Sequence, residues 1–180
     1  YFHFIYNIIL NEDIRIKPLY TVTGEIVPVV KEMNLNGYLG NKPVRVGNDA
    51  IKQVQNDVYG QVLVNLLPLY IDKRLTNFDK GKIIQLSQWL LKRIDQTMDE
   101  KDSGLWEFGN IHQQHCYTML FNWAGANAAL KMADLAQDGL MKFKAQNIIQ
   151  AATDRIEACY NKERKVYTQA TGSEHLDASC

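Results

Sequence analysis

Several kinds of residue are scarce in this chain of 180 residues. It has three cysteines (Cys116, Cys159 and Cys180), four histidines and four prolines. No two cysteines stand at a CxxC or similar spacing, so the strong metal-binding signatures are absent. An odd, sparse set also excludes a disulfide framework and reads as free thiols in a reducing compartment, so a cytoplasmic location is expected. His112, His115 and Cys116 lie close together, but their spacing matches no zinc pattern, and neither a metal nor a cofactor is expected. Charge of one sign is lacking too. Twenty basic residues balance twenty acidic ones, which argues against nucleic acid or an anionic membrane as partner. No stretch approaches the roughly 20 apolar residues of a membrane span. The opening YFHFIYNIIL is interrupted by His3 and Asn7 and has neither a basic start nor a small-residue cleavage site. It reads as a buried helix piece, not a signal peptide.

What remains is ordinary in bulk, 46% hydrophobic and 22% charged, the composition of a globular domain large enough to bury a core. Helical periodicity dominates it. A first long helix is expected from Asn48 to about Asp72, with Ile51, Val54, Val58 and Val62 as its stripe and Pro68 ending or kinking it near Leu67. A second should follow Asp79 as N-cap, with Ile83, Leu86, Leu90 and Ile94 inward. The third spans about Ile111 to Gln137, with Leu120, Ala124, Ala128 and Leu135 on one face. The fourth spans about Leu140 to Tyr160, with Phe143, Ile149, Ala152, Ile156 and Cys159. Ahead of them, YTVTGEIVPVV fits a small β hairpin turning at Thr23-Gly24-Glu25, with Pro28 confining its second strand to an edge. A charged turn, NKERK, precedes the extended stretch Val166 to Gln169. Helices of about 20 residues joined by short turns imply antiparallel helical hairpins, hence an all-α fold with a minor β hairpin.

The most distinctive stretch is Gly37 to Gly60, GYLGNKPVRVGNDAIKQVQNDVYG. It combines three glycines that permit tight or left-handed backbone, a proline, and Asn48 at a helix start. It resembles a segment that members of glycoside hydrolase family 15, the glucoamylase and trehalase family, carry as GYxGSxPVRxGNxAxxQxQxDVYG. Two further stretches agree in order. Ser103-Gly104-Leu105-Trp106-Glu107 is similar to the family's DxGIWE, and Thr168 to Ser179 is similar to its TQxxGSxxLDAS. The resemblance implies that the helical hairpins belong to an (α/α)6 barrel with its active site at one end of the ring. It further implies that residues 1–180 form a single partial catalytic domain, truncated at both ends, whose missing flanking segments complete the barrel.

The resemblance also assigns chemistry. Cleaving a glycosidic bond requires a carboxylic acid to protonate the leaving oxygen and a second carboxylate opposite it. The glutamate of the family's IWE motif is the general acid and falls on Glu107. Trp106 and Phe108 flank it and would supply an apolar environment that raises its pKa. A surface glutamate in a helix approach is the alternative. The family inverts configuration, and its general base lies beyond LDAS, so the isolated stretch is expected to be inactive. Arg45 and Asn48 match the PVRxGN positions and suit hydrogen bonding to sugar hydroxyls, although Arg45 can equally brace its loop and Asn48 merely cap its helix. Trp106 is the expected stacking platform for a sugar ring; Tyr38 is a weaker sugar contact. Gln53, Gln55 and Asp57 also match but are expected along a helix. Where many members read HSKVMxWxALDRA, this chain has Met119 for the lysine and Asn127 for the aspartate, which leaves the substrate open. The expectation is an inverting, exo-acting α-glucosidase of glucoamylase type acting on maltooligosaccharides. The alternatives are a trehalase acting on a disaccharide, or a non-catalytic regulatory barrel such as those in phosphorylase kinase subunits.

Overall fold

The computed structural model describes residues 2–11, 15–75, 77, 79–107 and 110–180. Among them, five α-helices carry the fold: α1 (Phe2–Asn11), α2 (Val58–Ile71), α3 (Lys80–Thr97), α4 (Cys116–Ala136) and α5 (Gly139–Glu157). Two small antiparallel ribbons accompany them, β1 (Lys31–Met33) with β2 (Val44–Val46) and β3 (Tyr160–Asn161) with β4 (Val166–Tyr167). The class is the expected one: helical hairpins of the kind that build an α/α barrel, plus a small β hairpin.

α4 packs against both α5 and α2, and α3 lies chiefly against α2. The α4–α5 hairpin turns through two residues. Gln137 adopts a left-handed φ of 56°, and the Asp138 carboxylate accepts the Met141 N–H at 2.9 Å to start the next helix. Where α2 crosses α4, the two backbones touch. A Cβ on Gly60 would stand 2.1 Å from the Phe121 carbonyl oxygen, and one on Gly125 would stand 2.6 Å from the Cα of Gly60. Any larger residue at either position would force the helices apart.

α3 follows its sequence pattern. Asp79 accepts the Gly81 and Lys82 N–H groups, and Ile83, Leu86, Leu90 and Ile94 are all buried. Each such aliphatic side chain contributes about 1.5–3 kcal/mol of burial. The other helices differ from expectation. α4 buries Met119, Asn122, Ala126, Ala129 and Met132 and leaves Leu135 exposed. α5 buries Met141, Ala145, Ile148 and Ala152 and exposes Phe143. Both chains of residues are apolar on more than one side, so period alone did not choose the face. Pro68 neither ends nor interrupts α2, which runs on to Ile71 with the Asp72 N–H reaching the Pro68 carbonyl at 3.0 Å.

The expected helix from Asn48 to Asp72 is divided. Asp49–Lys52 form a 3-10 turn, residues 53–56 are irregular, and α2 begins only at Val58. The backbone groups that would have continued a helix are spent elsewhere. Val54 gives its carbonyl to the Ser103 N–H, and Asn56 gives its N–H to the Asp102 carboxylate. Likewise the third helix starts at Cys116 rather than Ile111, because Gln113 pairs with Asp102 and His115 bridges Ala170. The early hairpin also moves along the chain. Thr21 to Glu25 do form a tight turn closed by a Tyr20–Ile26 bridge, but the two-stranded ribbon is built by Lys31–Met33 and Val44–Val46. Pro28 has no N–H for a ladder; its carbonyl accepts the Asn48 N–H instead.

Candidate active site

The turn carrying Trp106 and Glu107 is anchored by one buried carboxylate. Asp102 is 1% exposed. Its Oδ2 accepts the Asn56 N–H at 3.0 Å and the Thr118 hydroxyl at 2.9 Å, and its Oδ1 accepts the Gly104 N–H at 3.1 Å. Three donors compensate a charge that would otherwise be too costly to bury. The Asp102 backbone exchanges two hydrogen bonds with Gln113, and the Ser103 N–H reaches Val54. The chain then reverses through Gly104 at φ 65° and Glu107 at φ 55°, closed by the Glu107 N–H on the Gly104 carbonyl. A side chain at Gly104 is excluded, since its Cβ would lie 2.7 Å from Nε2 of the buried His115.

Trp106 is 55% exposed and donates its indole N–H to the Asp177 carboxylate at 2.8 Å. Burial pushes Asp177 up, but the Ser179 N–H and hydroxyl and the Trp106 N–H outweigh it and hold the carboxyl below its ordinary value. Between them runs an open groove of about 400 Å³, lined by Trp106, Gln169, Leu176, Asp177 and Ala178. An exposed indole face, a carboxylate and an amide are groups suited to a sugar. Glu107, the next residue after Trp106, is exposed. The Gln53 amide donates to the Glu107 carbonyl at 3.0 Å, and the Gln55 amide reaches its Oε1 at 3.5 Å, the outer limit of a hydrogen bond. The carboxylate thus meets the Gln55 amide where an apolar screen was expected. Phe108, the other half of that screen, lies outside the described residues.

Asp57, just beyond these amides, is buried and hydrogen-bonded by the Gln61 amide. Burial, and then the nearby Asp102 charge, raise its pKa to about 6.

The other candidate residues sit on or beside the β1–β2 hairpin. Arg45 lies directly across from Glu32 and reaches its carboxylate at 3.4 Å, both side chains well exposed. Together with Asn34, Lys42 and Pro43 they line a second open groove of about 480 Å³. Asn48 accepts the Ala50 N–H at 2.9 Å, so its amide oxygen caps the 3-10 turn. Tyr38 is 83% exposed at the hairpin tip. Neither groove's lining includes residues of the other. Sequence reasoning gave no role to Asp102 or Asp177, weighed His115 only as a metal ligand, and placed Gln53 and Gln55 on a helix. The signal that could have found Asp102 is the D of DxGIWE, which falls on it and on neither Asp99 nor Glu100.

The family model for glycosyl hydrolases family 15 matches residues 2–180. The chain belongs to that family. Curated relatives include a trehalase of Thermoplasma acidophilum, 25% identical over 98% of this chain and 30% of its own length. A second trehalase, from Mycobacterium tuberculosis, is 28% identical over 94% of this chain and 25% of its own length. "Trehalase 2" of Sulfolobus acidocaldarius is 26% identical over 90% of this chain and 28% of its own. The chain therefore spans less than a third of these relatives. No solved structure matches it significantly. Among the described residues, no helix is long and apolar enough to cross a membrane.

Proposed function

We propose that this chain carries the general-acid side of a glycoside hydrolase that cleaves trehalose with inversion. Glu107 protonates the glycosidic oxygen as the bond to the anomeric carbon breaks. A carboxylate from a segment of the barrel beyond these residues takes a proton from the attacking water, across a gap of roughly 6.5–9.5 Å between carboxyls. Trp106 offers its exposed ring to a sugar face, with Asp177 fixing the indole. Arg45, and more weakly Tyr38, contribute contacts from the hairpin; Asn48 acts mainly by shaping the turn that leads to Gln53 and Gln55. Residues 1–180 form part of one catalytic domain completed by flanking segments.

The observation that carries this reading is the turn itself. A family 15 chain with an intact Trp106-Glu107 pair invests a buried, triply hydrogen-bonded aspartate in the turn that carries the pair, and Trp106 lines an open groove. Retention of Glu107 in an intact Trp-Glu motif argues against a regulatory barrel. Trehalose takes precedence over maltooligosaccharides because the curated relatives are named trehalases.

The test is the sugar released by the intact protein, followed by NMR in the first minutes. Inverting hydrolysis of trehalose yields one β-glucose for each α-glucose, because only the attacked anomeric carbon inverts. Faster release from maltotetraose, as β-glucose, would return the substrate to the glucoamylase type. A folded protein that cleaves neither sugar would favour the regulatory barrel.

A further inference from the structure

His115 has no role in that reading, yet the turn is built against it. Its side chain is 4% exposed, and its Nε2 has no hydrogen-bond partner among the described residues. Stranding a buried donor or acceptor is costly, and a leucine of similar size would avoid that cost. The backbone leaves the ring little freedom. His115 bridges Ala170, its carbonyl accepts the Met119 N–H, and the next N–H, that of Cys116, is bound to Gln169 at 2.9 Å.

The imidazole thus meets the turn at a fixed height. Its Nε2 is 3.9 Å from Asp102 Oδ1, the oxygen that also holds the Gly104 N–H. The backbone of Gly104 lies against the ring so closely that no Cβ fits between them.

We infer that His115 is a positioning residue, wedged against the Gly104 backbone and the Asp102 anchor, which sets the placement of Glu107 against the bound sugar. This rests on Glu107 being the acid. His115 itself touches no substrate and passes no proton to it. A movement of about 1 Å brings Nε2 to hydrogen-bond distance from Asp102, and catalytic contacts that are long in the free protein commonly tighten on binding. The wedge locks as the turn closes on substrate.

Two substitutions in the intact protein separate this role from packing. His115→Leu keeps the bulk and removes the nitrogens; His115→Gln restores an N–H near the position of Nε2. Expected for His115→Leu is a kcat about 10- to 100-fold lower, the scale of a misplacement near 1 Å, with KM within about threefold. His115→Gln should recover most of that kcat. A His115→Leu protein with unchanged kcat, or Leu and Gln variants equally impaired, would overturn the inference. Should His115→Leu fail to fold, a crystal structure of Glu107→Gln with sugar bound decides the matter. Closure of the Nε2–Oδ1 gap to about 2.9 Å supports the wedge; a gap unchanged from the free protein refutes it. Glu107→Gln also keeps the two readings apart. If it retains wild-type activity, the proposed function falls. If it is inactive while His115→Leu is unimpaired, only the wedge falls.

Discussion

Two loops were marked by sequence as sugar-facing, and the molecule holds them in opposite ways. The turn from Asp102 to Glu107 is short and pinned from beneath. Its anchor is a buried carboxylate with three donors, its underside a buried ring, and its flank the irregular segment 53–56. The hairpin around Tyr38 is held by a three-residue ribbon and an exposed ion pair, and its tip projects Tyr38 and Leu39, both more than 80% exposed. The same composition, polar and glycine-bearing, describes both. What separates them is whether the polar groups are spent inside the protein or left outside. A pinned turn can present an acid at a set place; an exposed hairpin can only lend contacts.

The largest break of this contrast should come from Asp102→Ala. It strands the Asn56 and Gly104 N–H groups and the Thr118 hydroxyl, at about 1–3 kcal/mol for each group left unsatisfied. A shift of the denaturant midpoint corresponding to several kcal/mol is expected, with activity lost as well. Next is Gly104→Ala, which combines left-handed strain of about 1–2 kcal/mol with a clash against a buried ring. Gly40→Ala, at φ 74° with nothing within 4 Å of its Cβ, should cost the strain alone. Equal unfolding midpoints for the two variants would erase the distinction between the loops.

The third effect is one of pH and lies beneath the pinned turn. Folded, Asp57 holds its proton to about pH 6, against 3.8 for the free side chain. The folded state thus binds that proton more tightly, so stability should fall as pH rises from about 4 to 6 and stay lower above it. A difference of this size corresponds to about 3 kcal/mol. Thermal unfolding of Asp57→Asn across that range should lack this fall. The smallest effect should be Arg45→Ala. An exposed pair of this kind contributes less than about 1 kcal/mol, so its unfolding midpoint should barely move.

How legible this was depended on where each residue's partners lie. α3 was readable because its cap and its stripe, Asp79 and Ile83 to Ile94, use only local spacing. α4 was not, because small and large apolar residues surround it; the Gly60–Gly125 contact with α2 chooses its face. The break at 53–56 was hidden because Ile51, Val54 and Val58 keep helical spacing, while the bonds that break it come from Asp102 and Ser103, more than 40 residues away. Motifs located Trp106 and Glu107 at once. The D of DxGIWE falls on the anchor Asp102 as well, but its role stayed hidden, since a buried aspartate and a solvated one look alike in a polar stretch.

The most direct measurement sets the two loops against each other in one assay. Initial rates of trehalose cleavage by the intact protein are compared for wild type, Glu107→Gln and Arg45→Ala. General-acid catalysis contributes about 10²–10⁴-fold, so Glu107→Gln should fall by at least about a hundredfold with its fold intact. Arg45→Ala should lose far less and chiefly through KM. The reverse order, Arg45→Ala inactive and Glu107→Gln near wild type, would contradict the account at its centre.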